Sequence, residues 1–133
     1  MNASTQMTQS LEDYIETVYL IILDGRVAQV RDIARSLGVK MPSVVKAIRE
    51  LMRLELAVHE PYGGVDLTAK GRRVAKSILG RHTLLREFLM KLGVSEKMAD
   101  RDACLMEHVV SAETLGRIRD FTENLKSERK GAL

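Results

Sequence analysis

Apolar residues recur at helical spacing along most of the chain, and strict alternation with polar residues is confined to one short stretch. The first helical stripe consists of Leu11, Ile15, Val18, Tyr19 and Ile22. Ser10 precedes the stripe and is predicted as its N-cap, with Asp13 three residues on. The Asp24-Gly25 pair is predicted to end the helix, because glycine accepts the left-handed conformation common at helix ends.

Residues 30–54 carry the pattern of two short helices separated by a tight turn. Ala34 is small enough to let the helices approach closely, and Gly38 can adopt the positive φ that the turn requires. Pro42 suits the first turn of the second helix, where its missing N–H costs nothing. The second helix is predicted to bury Val44, Ala47, Ile48 and Leu51. Taken together, these signs predict a helix-turn-helix.

Two alternating segments follow, Ala57–Pro61 and Val65–Leu67, on either side of Tyr62-Gly63-Gly64. They predict a short hairpin, the wing of a winged helix-turn-helix. Three more helices are predicted: Thr68 to about Leu92, a helix capped by Ser95 that runs to about Val110, and a helix capped by Ser111 that runs from Ala112 to about Lys126. Ser127–Leu133 is predicted to be frayed.

The composition agrees with a mainly α fold. Of the 133 residues 45% are hydrophobic, aromatics are only 4% and Trp is absent, so aliphatic residues must fill the core, which favours helices. A single Cys excludes an internal disulfide, and neither a signal peptide nor a bilayer-spanning apolar run is recognisable, so we expect a cytoplasmic protein. The predicted organisation is a winged helix-turn-helix DNA-binding domain over residues 1–75 and a helical metal-binding and dimerisation domain over residues 76–133.

The net charge of +3 conceals a basic centre. Residues 26–81 hold 12 Lys and Arg against 5 Asp and Glu, which predicts a polyanion-binding segment. The second helix of the helix-turn-helix would enter the major groove of double-stranded DNA, with Pro42, Ser43 and Lys46 nearest the bases. Phosphate contacts are predicted for Arg31, Arg35, Lys40, Arg49 and Arg53, and a backbone or minor-groove contact for Tyr62. The alternative is a helix-turn-helix that contacts protein, with these cations merely solvated.

Cys104, Glu107 and His108 lie at positions i, i+3 and i+4 of a predicted helix and therefore share one face. A thiol, a carboxylate and an imidazole together form a set of transition-metal ligands. Glu107 and His108 stand among apolar neighbours, where a charged pair needs a partner or a role. Cys104 stays open between a ligand and an ordinary small hydrophobic residue.

Three motifs together resemble a known family: Leu11-Glu12-Asp13-Tyr14-Ile15-Glu16, Arg81-His82-x-Leu84-Leu85 and Cys104-x-x-Glu107-His108. The chain is similar, from about Ser10 to Leu125, to the metal-dependent repressors that include the diphtheria toxin repressor and the manganese transport regulator. The resemblance implies a homodimer whose metal site joins the first helix to the dimerisation helices. It implies the ligands Asp13, Glu16, His82, Cys104, Glu107 and His108, and the short form without a C-terminal SH3-like domain.

The ligand set mixes two branches of that family. Asp13 resembles the manganese-type residue and Cys104 the iron-type one. The carboxylates of Asp13 and Glu16 favour Mn(II), with Fe(II) or another divalent transition metal as the alternative, and a Cys104 ligand would shift the preference towards Fe(II) or Zn(II). Arg86 replaces an acid of the relatives, and Asp100 replaces a histidine of the iron-type members, which argues against a second metal site built as in either branch. In the alternative without metal, Asp13 would complete a capping box or complement the helix dipole, Glu16 would be an exposed acid and His82 a structural histidine.

The predicted function is a metal-activated repressor of metal-uptake genes that binds a pseudo-palindromic operator as a homodimer. The predicted dimer surface comprises Leu84, Leu85, Phe88, Leu89, Val109, Leu115, Ile118 and Phe121. One alternative is a winged-helix regulator that responds to an organic ligand or a protein partner. A metalloenzyme is the other, but no nucleophile elbow, phosphate loop or other catalytic constellation accompanies the ligand set.

Overall fold

The computed structural model describes residues 7–61 and 63–131, and its helices confirm the mainly α fold. The described elements are α1 (Gln9–Leu23), α2 (Val30–Leu37), α3 (Met41–Arg53), β1 (Ala57–His59), β2 (Val65–Leu67), α4 (Ala69–Lys91), α5 (Glu96–Met106) and α6 (Ala112–Gly131). They fall into two compact units, an N-terminal unit that ends at Ile78 and a C-terminal unit that begins at Leu79. In the described residues, no helix combines the length and the apolar character that crossing a membrane requires.

The start of α1 differs from the prediction. Thr8, not Ser10, is the N-cap, because its backbone is extended (φ −82°, ψ 162°) and its hydroxyl accepts a hydrogen bond from the Leu11 N–H at 3.1 Å. Ser10 lies exposed inside the first turn. Asp13 is therefore in the second turn and does not form a capping box with Ser10. The predicted end is confirmed, since Asp24 is the C-cap and Gly25 has a φ of 79°.

The helix-turn-helix is confirmed. Gly38 caps α2 in the left-handed conformation (φ 67°), and the Val39 N–H donates to the Ala34 carbonyl at 3.0 Å. α3 begins at Met41 with Pro42 in its first turn. Its buried side chains are Val44, Ala47, Ile48 and Leu51, as the helical spacing predicts.

The wing is an antiparallel pair in which Ala57 is opposite Leu67 and His59 is opposite Val65. β1 ends at His59, two residues before the predicted end at Pro61. Ala28 forms an additional isolated bridge to Val65, a contact that no local pattern indicates. A Cβ on Gly64 would lie 2.9 Å from the Ala28 carbonyl oxygen, so this crossing of two backbones requires glycine. The predicted wing-tip residue Tyr62 lies outside the described residues.

The C-terminal unit has its own small core, in which Leu85, Ala103 and Leu115 are buried. Two helix ends differ here from the prediction. α5 ends at Met106 instead of Val110, because a turn follows in which the Val109 and Val110 N–H groups both donate to the Met106 carbonyl. α6 continues to Gly131 instead of ending near Lys126, and the additional residues include the good helix formers Glu128, Arg129 and Lys130.

Candidate metal centre and nucleic-acid interface

Glu107 is a buried acid at the C-cap of α5. It is only 1% exposed, and its backbone N–H donates to the Ala103 carbonyl. In the C-terminal unit its carboxylate lies between two imidazoles: Oε2 is 3.4 Å from His82 Nδ1, and Oε1 is 3.4 Å from His108 Nε2. The His108 side chain is only 3% exposed. A carboxylate and two imidazoles therefore converge in a region from which water is largely excluded.

These three side chains fit a divalent transition metal. Burying an ionised carboxylate is costly unless a cation or hydrogen-bond donors compensate for the lost hydration. In the part of the chain that the structure describes, Nδ1 of His82 is buried and has no hydrogen-bond partner. A neutral imidazole nitrogen and a carboxylate oxygen are ligands that Mn, Fe, Co, Ni and Zn ions accept. The types of donor atom, and a His82 Nδ1 that makes no hydrogen bond to any described residue, agree with a role of these side chains as metal ligands.

The other three predicted ligands are placed as follows. Asp13 and Glu16 belong to the N-terminal unit, where they lie one turn apart on α1 and are both half-buried. Cys104 lies on α5 one turn before Glu107, and it is exposed. Because α5 ends at Met106, Glu107 and His108 follow its last turn instead of continuing the helix as predicted.

The structure adds three residues around His82 that the ligand prediction did not include. Asp100 of α5 places Oδ1 2.9 Å from His82 Nε2, and Arg86 of α4 reaches both Asp100 and Glu96. Arg86 and Asp100 stood out in the sequence only as departures from the relatives. The spacing His82–Arg86 and Glu96–Asp100, both i and i+4, was the available signal that each pair shares a helix face.

The candidate nucleic-acid interface is the outer face of α3 with the turn before it. Pro42, Ser43 and Lys46 are exposed on the face opposite the buried stripe. The predicted phosphate contacts Arg31, Arg35, Lys40 and Arg49 are exposed as well. The N-terminal part of α3 is therefore accessible for contact with a DNA groove.

Arg53 is exposed too, but it is hydrogen-bonded to Glu50 on the same helix. Arg53 Nε donates to both carboxylate oxygens of Glu50, at 3.0 and 3.1 Å. This hydrogen bond is the main cause that holds the pKa of Glu50 below its ordinary value. A phosphate contact by Arg53 would have to compete with this pair.

A winged helix-turn-helix followed by a helical unit with a buried carboxylate between imidazoles defines a class, the metal-dependent DNA-binding transcriptional repressors. Two family models match the chain. "Iron dependent repressor, N-terminal DNA binding domain" covers residues 6–65, and "Iron dependent repressor, metal binding and dimerisation domain" covers residues 68–132. The chain belongs to the iron-dependent repressor family.

Known proteins similar to the chain agree with this assignment. It is 40% identical over 124 residues to an uncharacterized HTH-type transcriptional regulator of Methanocaldococcus jannaschii, covering 92% of this chain and 99% of the relative. It is 39% identical to the HTH-type transcriptional regulator MntR of Geobacillus kaustophilus, covering 92% and 87%. Among solved structures it resembles the manganese regulator SloR (TM-score 0.76, 28% identity, 88% of this chain) and T. acidophilum IdeR (TM-score 0.72, 32% identity, 82%). The chain spans about half the length of these two structures, 55% and 52%.

Proposed function

We propose that the protein is a metal-activated repressor of metal-uptake genes that binds a pseudo-palindromic operator as a homodimer. The observation that carries the proposal is the buried Glu107 carboxylate between His82 and His108. The same chain contains a helix-turn-helix whose recognition helix is exposed and basic. A DNA-reading unit and a metal-ligand cluster on one chain are the two parts that a metal-dependent switch requires.

We assign the metal to Glu107, His108 and His82 together with Asp13 and Glu16 of α1. Asp13 and Glu16 enter by the family resemblance and by their shared, half-buried helix face. Cys104 is the variable member of the set, since a thiolate favours softer ions. The carboxylate-rich set and the similarity to the manganese regulator SloR favour Mn(II), with Fe(II) as the alternative.

In the proposed switch, the charge on the ligand side chains determines how firmly α1 is held in position. The bound cation supplies positive charge that compensates several carboxylates at once. Without this compensation, Glu107 repels the acids of α1, so α1 and the attached recognition helix are loosely held. When the cation is bound, its positive charge offsets the negative charges of these carboxylates. The recognition helix of each subunit, α3, then adopts the orientation that DNA binding requires.

The DNA contacts follow from the exposed first turn of α3. Pro42, Ser43 and Lys46 face the base edges, while Arg31, Arg35, Lys40 and Arg49 contact phosphates and set the register. Tyr62 is proposed as a wing contact from the sequence. In a two-fold dimer the two copies of α3 read half-sites separated by one DNA turn or a multiple of it.

The test is the coupling between metal and DNA. An operator is first enriched from a random duplex library with Mn(II) present, and its affinity is then measured by fluorescence anisotropy with Mn(II), with anaerobic Fe(II) and with chelator. Couplings between two ligands are typically about 5–150-fold, and we expect DNA binding to be tighter by such a factor with metal. Linkage requires DNA to tighten metal binding by the same factor. Equal affinity in all three conditions contradicts the proposal.

Two variants make this test specific to the site. Glu107→Gln removes the buried charge without changing shape, so its DNA affinity is expected to stay at the level seen with chelator when Mn(II) is added. Glu113→Gln removes an exposed acid of α6 and serves as the matched control, which is expected to keep the full response. A Glu107→Gln protein that still responds fully to Mn(II) would contradict the assignment of Glu107 as a ligand. A wild-type protein that does not respond to metal would favour the organic-ligand or protein-partner alternative.

A further inference from the structure

Both ring nitrogens of His82 face acids within the C-terminal unit. Nε2 lies 2.9 Å from Oδ1 of Asp100, a hydrogen-bond distance. Nδ1 lies 3.4 Å from Oε2 of the buried Glu107. The two contacts differ in their surroundings, since Asp100 is 62% exposed and Glu107 is fully buried. One edge of the imidazole therefore faces the outside of the unit and the other faces the candidate metal centre.

Arg86 lies near the same carboxylate oxygen of Asp100 that contacts His82. Arg86 lies one turn after His82 on α4, and its Nε is 3.8 Å from Oδ1 of Asp100. Its Nη2 donates to Oε1 of Glu96 at 2.6 Å. The guanidinium has two acids of α5 as neighbours, and its side chain is only 32% exposed. Arg86 therefore places a positive charge near the Asp100 oxygen that meets His82.

The hydrogen bond to Asp100 determines where His82 carries its proton. An ionised carboxylate can only accept hydrogen bonds, so Nε2 must be the donor. In a neutral imidazole with a proton on Nε2, the lone pair that can bind a metal is on Nδ1. Nδ1 is the buried nitrogen that faces Glu107. Histidine ligands in proteins commonly donate their second N–H to a carboxylate in this way, and that partner sets the ring orientation.

We propose that Asp100 is a positioning residue that keeps His82 as the Nε2–H tautomer and so presents Nδ1 as its ligand nitrogen. The inference rests on the proposed metal function and adds which atom binds and what orients it. Coordination through Nε2 would require breaking the 2.9 Å contact to Asp100 and turning the ring away from Glu107. Asp100 touches no metal in this account and acts only through His82.

The spectroscopic test reads the tautomer directly. The dimeric protein, labelled with ¹⁵N at histidine, is loaded with Zn(II), which is diamagnetic, and long-range ¹H–¹⁵N spectra are recorded. The wild type is expected to show His82 with a proton on Nε2 and the metal on Nδ1. The same spectra are recorded without metal, because a metal on Nδ1 by itself leaves the proton on Nε2. In metal-free Asp100→Ala the Nε2–H signal is expected to exchange faster with water and the tautomer preference to weaken. A His82 bound through Nε2, or an unchanged tautomer and unchanged exchange in Asp100→Ala, overturns the proposal.

The affinity test uses Mn(II) alone, in competition with a fluorescent chelator. Loss of such an orienting carboxylate typically weakens metal binding by about 10–100-fold, and we expect this for Asp100→Ala. Asp100→Asn is expected to recover most of the affinity, because its amide oxygen still accepts from Nε2–H. Asp120→Ala, at an exposed acid of α6, is the matched control and is expected to bind as the wild type does.

The outcomes separate the two proposals. Wild-type protein that shows no saturable Mn(II) binding contradicts the proposed function and this inference with it. Wild-type binding that Asp100→Ala leaves unchanged overturns the inference alone. Because Asp100 is exposed, we expect Asp100→Ala to have the same thermal unfolding midpoint as the wild type. Circular dichroism measures this midpoint.

Discussion

At the scale of single residues, two glycines of α4, Gly71 and Gly80, differ in the space that they leave for a side chain. A Cβ on Gly71 would lie 1.9 Å from the carbonyl oxygen of Leu56, so the chain passing over the start of α4 leaves no space for a side chain. A Cβ on Gly80 would meet no atom within 4 Å. Both glycines interrupt an otherwise ordinary helical sequence. Only the first is required by a close approach of two segments.

We therefore predict opposite signs for Gly71→Ala and Gly80→Ala. Gly71→Ala forces the Leu56 backbone to move and is expected to lower the free energy of unfolding by about 1–3 kcal/mol, as overpacked sites do. Gly80→Ala is expected to raise it by about 0.5–1 kcal/mol, because alanine loses less conformational entropy in a helix. Urea denaturation of the two variants under the same conditions measures both values. Equal effects would show that the Leu56 contact does not restrict position 71.

At the scale of elements, the two ends of a helix are not equally predictable. Ser95 and Ser111 were predicted as N-caps, and both hydroxyls accept from the N–H three residues on, in Met98 and Thr114. The end of α5 was predicted too late, because the apolar spacing continues through Val109 and Val110 after the helix has turned. The start of α1 was predicted two residues too late, because Ser10 was expected to be the N-cap and the structure has Thr8 there.

The α1 cap makes a paired prediction. Thr8→Ala removes the acceptor of the Leu11 N–H and is expected to cost about 1 kcal/mol of stability. Ser10→Ala changes an exposed residue inside the first turn, and it is expected to be neutral or slightly stabilising, because alanine is the better helix former. Thermal unfolding of both variants compares them. A larger loss for Ser10→Ala than for Thr8→Ala would contradict the observed cap.

At the scale of the whole molecule, the predicted dimer surface divides into two kinds of residue. Leu85 and Leu115 are buried inside the C-terminal unit and belong to its own core. Val109 and Phe121 are 77% and 52% exposed in the single chain. Exposed apolar residues on the unit that matches the dimerisation model are the ones available to a second copy.

Val109→Asp is predicted to weaken the homodimer without unfolding the subunit. An aspartate at this position would lose hydration on association, so the dimer dissociation constant is expected to rise at least about tenfold, or about 1.4 kcal/mol. Sedimentation equilibrium measures it. Val27→Asp, at a position 61% exposed in the N-terminal unit, is the matched control and is expected to leave the dimer intact. An unchanged constant for Val109→Asp would place the interface elsewhere.

The ligand residues of the candidate site could be predicted where the spacing of neighbouring residues indicates them. Glu107 and His108 were identified because a charged pair in an apolar segment is conspicuous. Their placement beside His82 depends on packing between α4 and α5, which no local pattern contains. Asp100 was visible only as a departure from the relatives, and its contact with His82 became apparent from the tertiary structure.

The sequence by itself determined the order of the helices, the helix-turn-helix with its glycine turn, the wing and the residue types of the metal centre. These follow from hydrophobic period, turn chemistry and charge, which act over a few neighbouring residues. Only the tertiary structure decided that His82 meets acids at both ring nitrogens, that Leu56 excludes a side chain at Gly71, and which apolar residues stay exposed. Those features arise where segments distant in sequence come into contact, and the physical reason is that packing and burial depend on all the segments at once.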